Sequence, residues 1–153
     1  MTYDWANRIR PIAICVFQRQ DSAILVAPGY DTIKQQRFYR PLGGEIEFGE
    51  RAEEAVRREI LEELGSEITD VRLLAIEENL FVYQGQQGHE LVWVFTAQLK
   101  DQSLYERQVV QCSEGEIIFD AEWVPVSVFE GGKAPLYPEG LLELLTGDAS
   151  HGI

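Results

Sequence analysis

The chain is 153 residues long, 45% hydrophobic and 25% charged, with a formal net charge of −13. That length points to one domain, residues 1–153, large enough to bury a sizeable core. The acidic balance excludes a broad electrostatic footprint for nucleic acid, and the sequence has no run of about 18 apolar residues to cross a membrane as a helix. An anionic substrate would be repelled by such a surface unless local cations receive it. The N-terminal stretch MTYDWANRIRP lacks the apolar region of a signal peptide, so a cytoplasmic location is expected. Cys15 and Cys112 stand far apart without partner Cys or His motifs, which favours buried thiols over a disulfide or zinc site.

Residues Ile9 to Gln18 alternate loosely and are rich in β-branched side chains, predicting a strand. Gln20-Asp21-Ser22 reads as a turn into a second strand, Ala23 to Ala27, and the two are expected to form a hairpin. Pro28-Gly29 reads as a break, followed by a polar loop over 29–37 and a short strand, Phe38 to Leu42. A glycine turn at Gly43–Gly44 then feeds a helix over Arg51 to Leu64. Its apolar stripe is Ala52, Ala55, Val56, Ile60 and Leu64, and Gly65 supplies the left-handed position at which helices commonly stop. Val71 to Tyr83 reads as a long strand bent near Glu77-Glu78-Asn79, with Gln84 to Gly88 as a hairpin loop. His89 to Leu99 is the most apolar strand and is expected to be central. Residues 101–118 show no clear period, with Tyr105 to Val110 a candidate edge strand; Glu122 to Val126 is a further short strand. Pro138 to Leu145 reads as an amphipathic helix. Mixed strands with one helix in the middle and one near the end predict an α+β sandwich.

The central helix carries an unbalanced charge. Glu59, Glu62 and Glu63 fall on one arc at the edge of the apolar stripe, spaced i, i+3, i+4. Glu59 and Glu63 are a like-charged pair one turn apart, near the helix end whose dipole disfavours negative charge. The front half does balance its charge, through Glu53–Arg57 and Glu54–Arg58. A divalent cation would turn the repulsion into attraction. Hard oxygen donors with no Cys or His nearby suit Mg²⁺ or Mn²⁺. A solvated acidic face is the competing reading at this stage.

The stretch Gly44 to Ser66 resembles the Nudix box, G-x5-E-x7-R-E-U-x-E-E-x-G-U with U aliphatic. The match is carried by Gly44, Glu50, Arg58, Glu59, Ile60, Glu62, Glu63 and Gly65. Ser66 departs from the aliphatic preference, and Ile68 is expected to take over its packing. The resemblance implies the Nudix fold, an α/β/α sandwich with a mixed sheet and the box as loop–helix–loop. It also implies a metal-dependent pyrophosphohydrolase. By resemblance, Glu59 and Glu63 are core metal ligands, Glu62 is a further ligand or water-activating group, and the Gly43 carbonyl is a ligand. Arg58 and Glu50 pair to hold the loop against the helix, with Gly44 and Gly65 shaping the turns. A further catalytic acid from a loop before the last strand is expected, with Glu116 preferred over Glu114.

Outside the box, Arg37 and Arg40 flank the glycine turn and are candidates for substrate phosphate. Glu77, Glu78 and His89 have ordinary structural readings that compete with a place in the cleft. Tyr30, Tyr39, Phe81, Tyr83 and Tyr137 are candidates for stacking on a base, against core packing. The segments RPLGGEIEFGE, GHE and LYPEGL loosely resemble the ADP-ribose and nucleotide-sugar pyrophosphatase branch, in which homodimers are common. The expected substrate is therefore a small nucleoside diphosphate linked to another moiety. Nucleoside triphosphates and dinucleoside polyphosphates are the alternatives. A non-catalytic nucleotide-binding module is disfavoured because the box glutamates are kept, and an isomerase of the isopentenyl diphosphate type would need a working cysteine.

Overall fold

In the computed structural model, residues 5–147 are described; the first four and last six positions of the expected 1–153 domain lie outside them. Seven strands form a mixed sheet: β1 Ile9–Val16, β2 Ala23–Asp31, β3 Gln36–Glu45, β4 Ile68–Tyr83, β5 Gln86–Leu99, β6 Val109–Glu114 and β7 Ile117–Pro125. Three helices accompany them: α1 Ala52–Leu64, α2 Val126–Glu130 and α3 Leu141–Thr146. The strand order is β4-β5-β1-β3-β2-β7-β6, with β1 and β5 parallel and the other pairs antiparallel. No helix among the described residues is long and apolar enough to cross a membrane.

Strand β1 shows why the fold has two apolar layers. Its side chains alternate between faces. Ala13, Cys15 and Phe17 enter a core with Ala55, Val56 and Ile60 of α1. Ile12, Ile14 and Val16 enter a second core with Phe129 of α2 and Leu141 of α3. The α+β sandwich follows from that double burial.

Strand β3 changes neighbours along its length. Its first half, Gln36 to Pro41, pairs with β2, and its second half, Leu42 to Glu45, pairs with β1. The expected β1–β2 hairpin is thereby corrected. The two strands meet at one bridge, Gln18–Ile24, and β3 is then inserted between them. Two wings result, β4-β5-β1 and β2-β7-β6, hinged on β3. They touch again at their far tips. Asp31, buried in the β2–β3 hairpin, accepts from the amides of Ile33 and Lys34, and from Gln84 in the β4–β5 turn. Those amides, led by that of Lys34, hold the Asp31 carboxyl below its ordinary value. Lys34 Nζ also donates to the Val82 carbonyl at 2.7 Å.

Other expectations need revision. Pro28-Gly29 does not end β2. Gly29 lies opposite Phe38, and the missing Cβ makes room for that ring, so the pairing runs through to Asp31. Much of the expected polar loop over 29–37 is therefore strand. Strand β5 is interior, but β3 is the middle strand. Tyr105 sits in a short 3-10 turn, Gln102–Glu106, and the edge strand is β6, with Val110 and Cys112 inward. α2 was not anticipated, and α3 begins three residues later than expected because Gly140, at φ 93, precedes it.

Candidate active site

The box folds as a glycine strand-end, a tight loop and α1. Gly65, at φ 70, closes the helix and donates to the Leu61 carbonyl. Ser66 is buried, and its hydroxyl accepts from the Asp101 amide, while Ile68 enters the core behind α1. Arg58 organises the loop. Its guanidinium makes two bonds to Glu50, at 2.7 and 2.9 Å, and one to Glu59 Oε1 at 2.9 Å. It also donates to the Glu45 carbonyl at 3.2 Å, which ties α1 to the end of β3. Planar, fork-like donors make this possible in a way a lysine could not reproduce. The Arg58 guanidinium, with the Glu47 amide, holds the Glu50 carboxyl down to about 2.

Two glycines bring the chain close enough to the acids. Gly43 has φ 151, and a Cβ there would strike the Ala13 carbonyl of β1. A Cβ at Gly44 would land on the Glu59 carboxylate. Glu59 and Glu63 are both buried, at 9% and 6% exposure, whereas the Glu62 side chain is largely exposed. Burial, then the charges of Glu59 and Glu114, push the Glu63 carboxyl up to about 8. Burial also raises Glu59, although Arg58 opposes it. Glu63 Oε1 is buried without a hydrogen-bond partner.

These donors fit a hard divalent cation. All are oxygens, one is buried and unsatisfied, and the glycine cradle is filled by a carboxylate. Among the described residues, no group of three or more His, Cys, Asp or Glu already stands in metal-holding geometry.

Gly43, Gly44, Glu59, Glu63, Arg40 and Glu114 line a cavity of about 690 Å³. Of the two candidates for the additional acid, Glu114 at the end of β6 lines it. Glu116 lies in the exposed β6–β7 turn, outside that lining. Strand period explains the difference between the two candidate arginines. Gln36, Phe38 and Arg40 share the cleft side of β3, and Arg37 turns away with Tyr39, its guanidinium 5.9 Å from that ring. Arg10, which carried no motif signal in the sequence, joins Arg40 at the cleft. Both face buried Glu90 at 3.5 Å, and Arg10 also reaches Glu45 at 3.4 Å. The alternation of β1 would have placed Arg10 in register with the inward Ile12.

A second cavity, of about 320 Å³, continues from the first and shares Arg10, Ala27, Arg40 and Glu90 with it. Its walls are aromatic: Trp5, Phe38, Phe81, Tyr83 and Tyr137. Phe38 meets both Tyr83 and Tyr137 edge-on at 5.6 Å, and Trp5 packs 5.9 Å from Phe81. Phe81, Tyr83 and Tyr137 thus stand where a ring could stack. Tyr39 is in the core and Tyr30 is exposed outside both linings. Glu77 lies half-buried near Gly140, Glu78 is exposed, and His89 lines a separate small pocket with Arg8. Both cysteines are buried, and burial raises both thiols, that of Cys112 to about 12, which disfavours the thiolate an isomerase would use.

The NUDIX domain family model matches residues 8–143. The chain belongs to the Nudix family. It is accordingly a pyrophosphohydrolase, of a family that generally uses divalent metal ions. Similar solved structures include a NUDIX hydrolase from Nitrosomonas europaea, with TM-score 0.60, 17% identity, and coverage of 95% of this chain and 90% of that one. A MutT NUDIX hydrolase from Burkholderia pseudomallei has TM-score 0.59 and 20% identity, covering 79% and 86%. The mutator MutT protein from Bacillus halodurans has TM-score 0.59 and 18% identity, covering 90% and 80%. At these identities the likeness concerns the fold of this Nudix hydrolase, not its substrate.

Proposed function

We propose that this Nudix hydrolase cleaves the diphosphate of a nucleoside diphosphate linked to another moiety, using Mg²⁺ or Mn²⁺. The observation that carries this reading is the continuity of the two cavities. Buried acids line one, aromatic rings line the other, and two arginines stand where they join. A diphosphate bearing a planar base has the same sequence of needs: charge neutralisation, then a stacking surface.

Glu59, Glu63 and the Gly43 carbonyl would hold the metal, with Glu62 at the exposed side. When bound, the metal lowers the pKa of a water and neutralises charge developing on phosphate oxygens. Arg58 keeps the Glu59 carboxylate aimed at the glycine cradle and fixes the loop through Glu50. Arg10 and Arg40 receive phosphate oxygens, for which Glu90 holds them in readiness. Glu114, rather than Glu116, stands beside Glu63 as the additional acid able to take a proton from water.

The test is a product-identified assay with Mg²⁺ and Mn²⁺ on ADP-ribose, nucleotide sugars, dinucleoside polyphosphates and nucleoside triphosphates. Preference for the first two, with a nucleoside monophosphate as product, supports the reading. Preference for triphosphates with pyrophosphate release would replace it. No turnover by folded, metal-bound protein would move the chain to a binding role.

A further inference from the structure

Asn79 of β4 lies on the cleft side, 3% exposed, in the lining of the aromatic cavity. Its Nδ2 donates to Glu90 Oε1 at 3.3 Å. Glu90 is a pure acceptor when ionised, which fixes the amide: a flipped Asn79 would set oxygen against oxygen. The atom left over is Oδ1, buried and without a partner. An unpaired buried carbonyl is costly to maintain. Glu63 Oε1 is the other such side-chain atom among the described residues.

Position says what should satisfy it. Asn79 is next to Glu90, which bridges Arg10 and Arg40, and it lines the aromatic cavity but not the acidic one. It therefore stands between the phosphate-receiving arginines and the rings. In a nucleoside diphosphate the group between phosphate and base is the sugar, whose hydroxyls are donors. We propose that Asn79 Oδ1 accepts a hydrogen bond from a ribose hydroxyl, making Asn79 a specificity residue that reads the sugar of the substrate. The inference rests on the nucleoside diphosphate reading above.

The test uses non-hydrolysable α,β-methylene diphosphates of the four common nucleosides with Mg²⁺, each in ribo, 2′-deoxy and 3′-deoxy form, titrated by calorimetry. The expected result is binding of a ribo form with a loss of about tenfold on removing one of the two hydroxyls. Asn79→Leu, nearly the same shape without the acceptor, should weaken the ribo form by a similar factor and erase the discrimination. Equal affinity for all three sugars in the natural protein overturns the Asn79 role while leaving the nucleotide reading in place. No binding of any form overturns both. The wild-type arm stands even where the variant fails to fold.

Discussion

The acidic and aromatic ends of the cleft are built from different kinds of sequence. The acidic end is local: glycine turn, loop and helix occupy one short stretch, and its contacts are largely within it, Arg58 to Glu50 and Glu59, Gly44 to Glu59. The aromatic end is assembled from Trp5, Phe38, Phe81, Tyr83 and Tyr137, which the chain brings together across two strands and two loops. On the function proposed above, chemistry that needs sub-ångström placement sits on one rigid element with a short-range staple, and recognition, which tolerates more slack, is spread over the fold.

Changes at the acidic end should therefore act on turnover, and changes at the aromatic end on affinity. The largest effect is expected from Glu63→Gln, about a thousandfold loss of kcat with the fold retained by circular dichroism. An active variant would remove Glu63 from the machinery. Gly44→Ala should follow, with roughly a hundredfold loss, because the added methyl displaces the Glu59 carboxylate. A crystal structure with Glu59 unmoved would contradict that cause.

Arg58→Lys breaks the staple by losing the two-pronged bond to Glu50. Urea unfolding should read a lower stability than the natural protein, with kcat falling as well. The smallest effect is at the other end. Phe81→Ala should raise KM by about tenfold with kcat little changed. A fall in kcat instead would mean that the two ends are not separable.

Proton linkage sharpens the contrast within the acidic end itself. Glu50 is held down to about 2, so its contribution is present above pH 4.5 and is lost as pH falls towards 2. Glu63 is raised to about 8, so the stability from its neutral form is present below pH 4.5 and is lost as pH rises through 8. Metal-free protein should thus lose thermal stability from pH 5 to 8. Glu63→Gln should flatten that slope, measured by scanning calorimetry.

What the sequence revealed follows the same division. The α1 boundaries, the Gly65 stop and the charge conflict of Glu59 and Glu63 could be read from periodicity, because a helix writes its faces at short range. Arg40 and Arg37 could not be separated until the pairing register of β3 was known. Asn79 was legible only as a bend in a strand and Glu90 only within the GHE segment, since their significance lies in a contact between adjacent strands facing an arginine from each of two others. Pro28-Gly29 misled because glycine at position 29 serves a ring across the ladder rather than a turn. The β1–β2 hairpin failed for a similar reason: sequence neighbours were parted by β3, a strand with competing partners on both edges.

The tip-to-tip tie at Asp31 has a kinetic corollary. Because three amides from two hairpins converge on one carboxylate, the span of the aromatic end is set before anything binds, and little ordering entropy is lost there. Cleavage at the acidic end leaves those contacts untouched. On the substrate reading proposed above, the nucleoside monophosphate fragment should then depart after its partner and compete with incoming substrate, so that progress curves bend early as product accumulates.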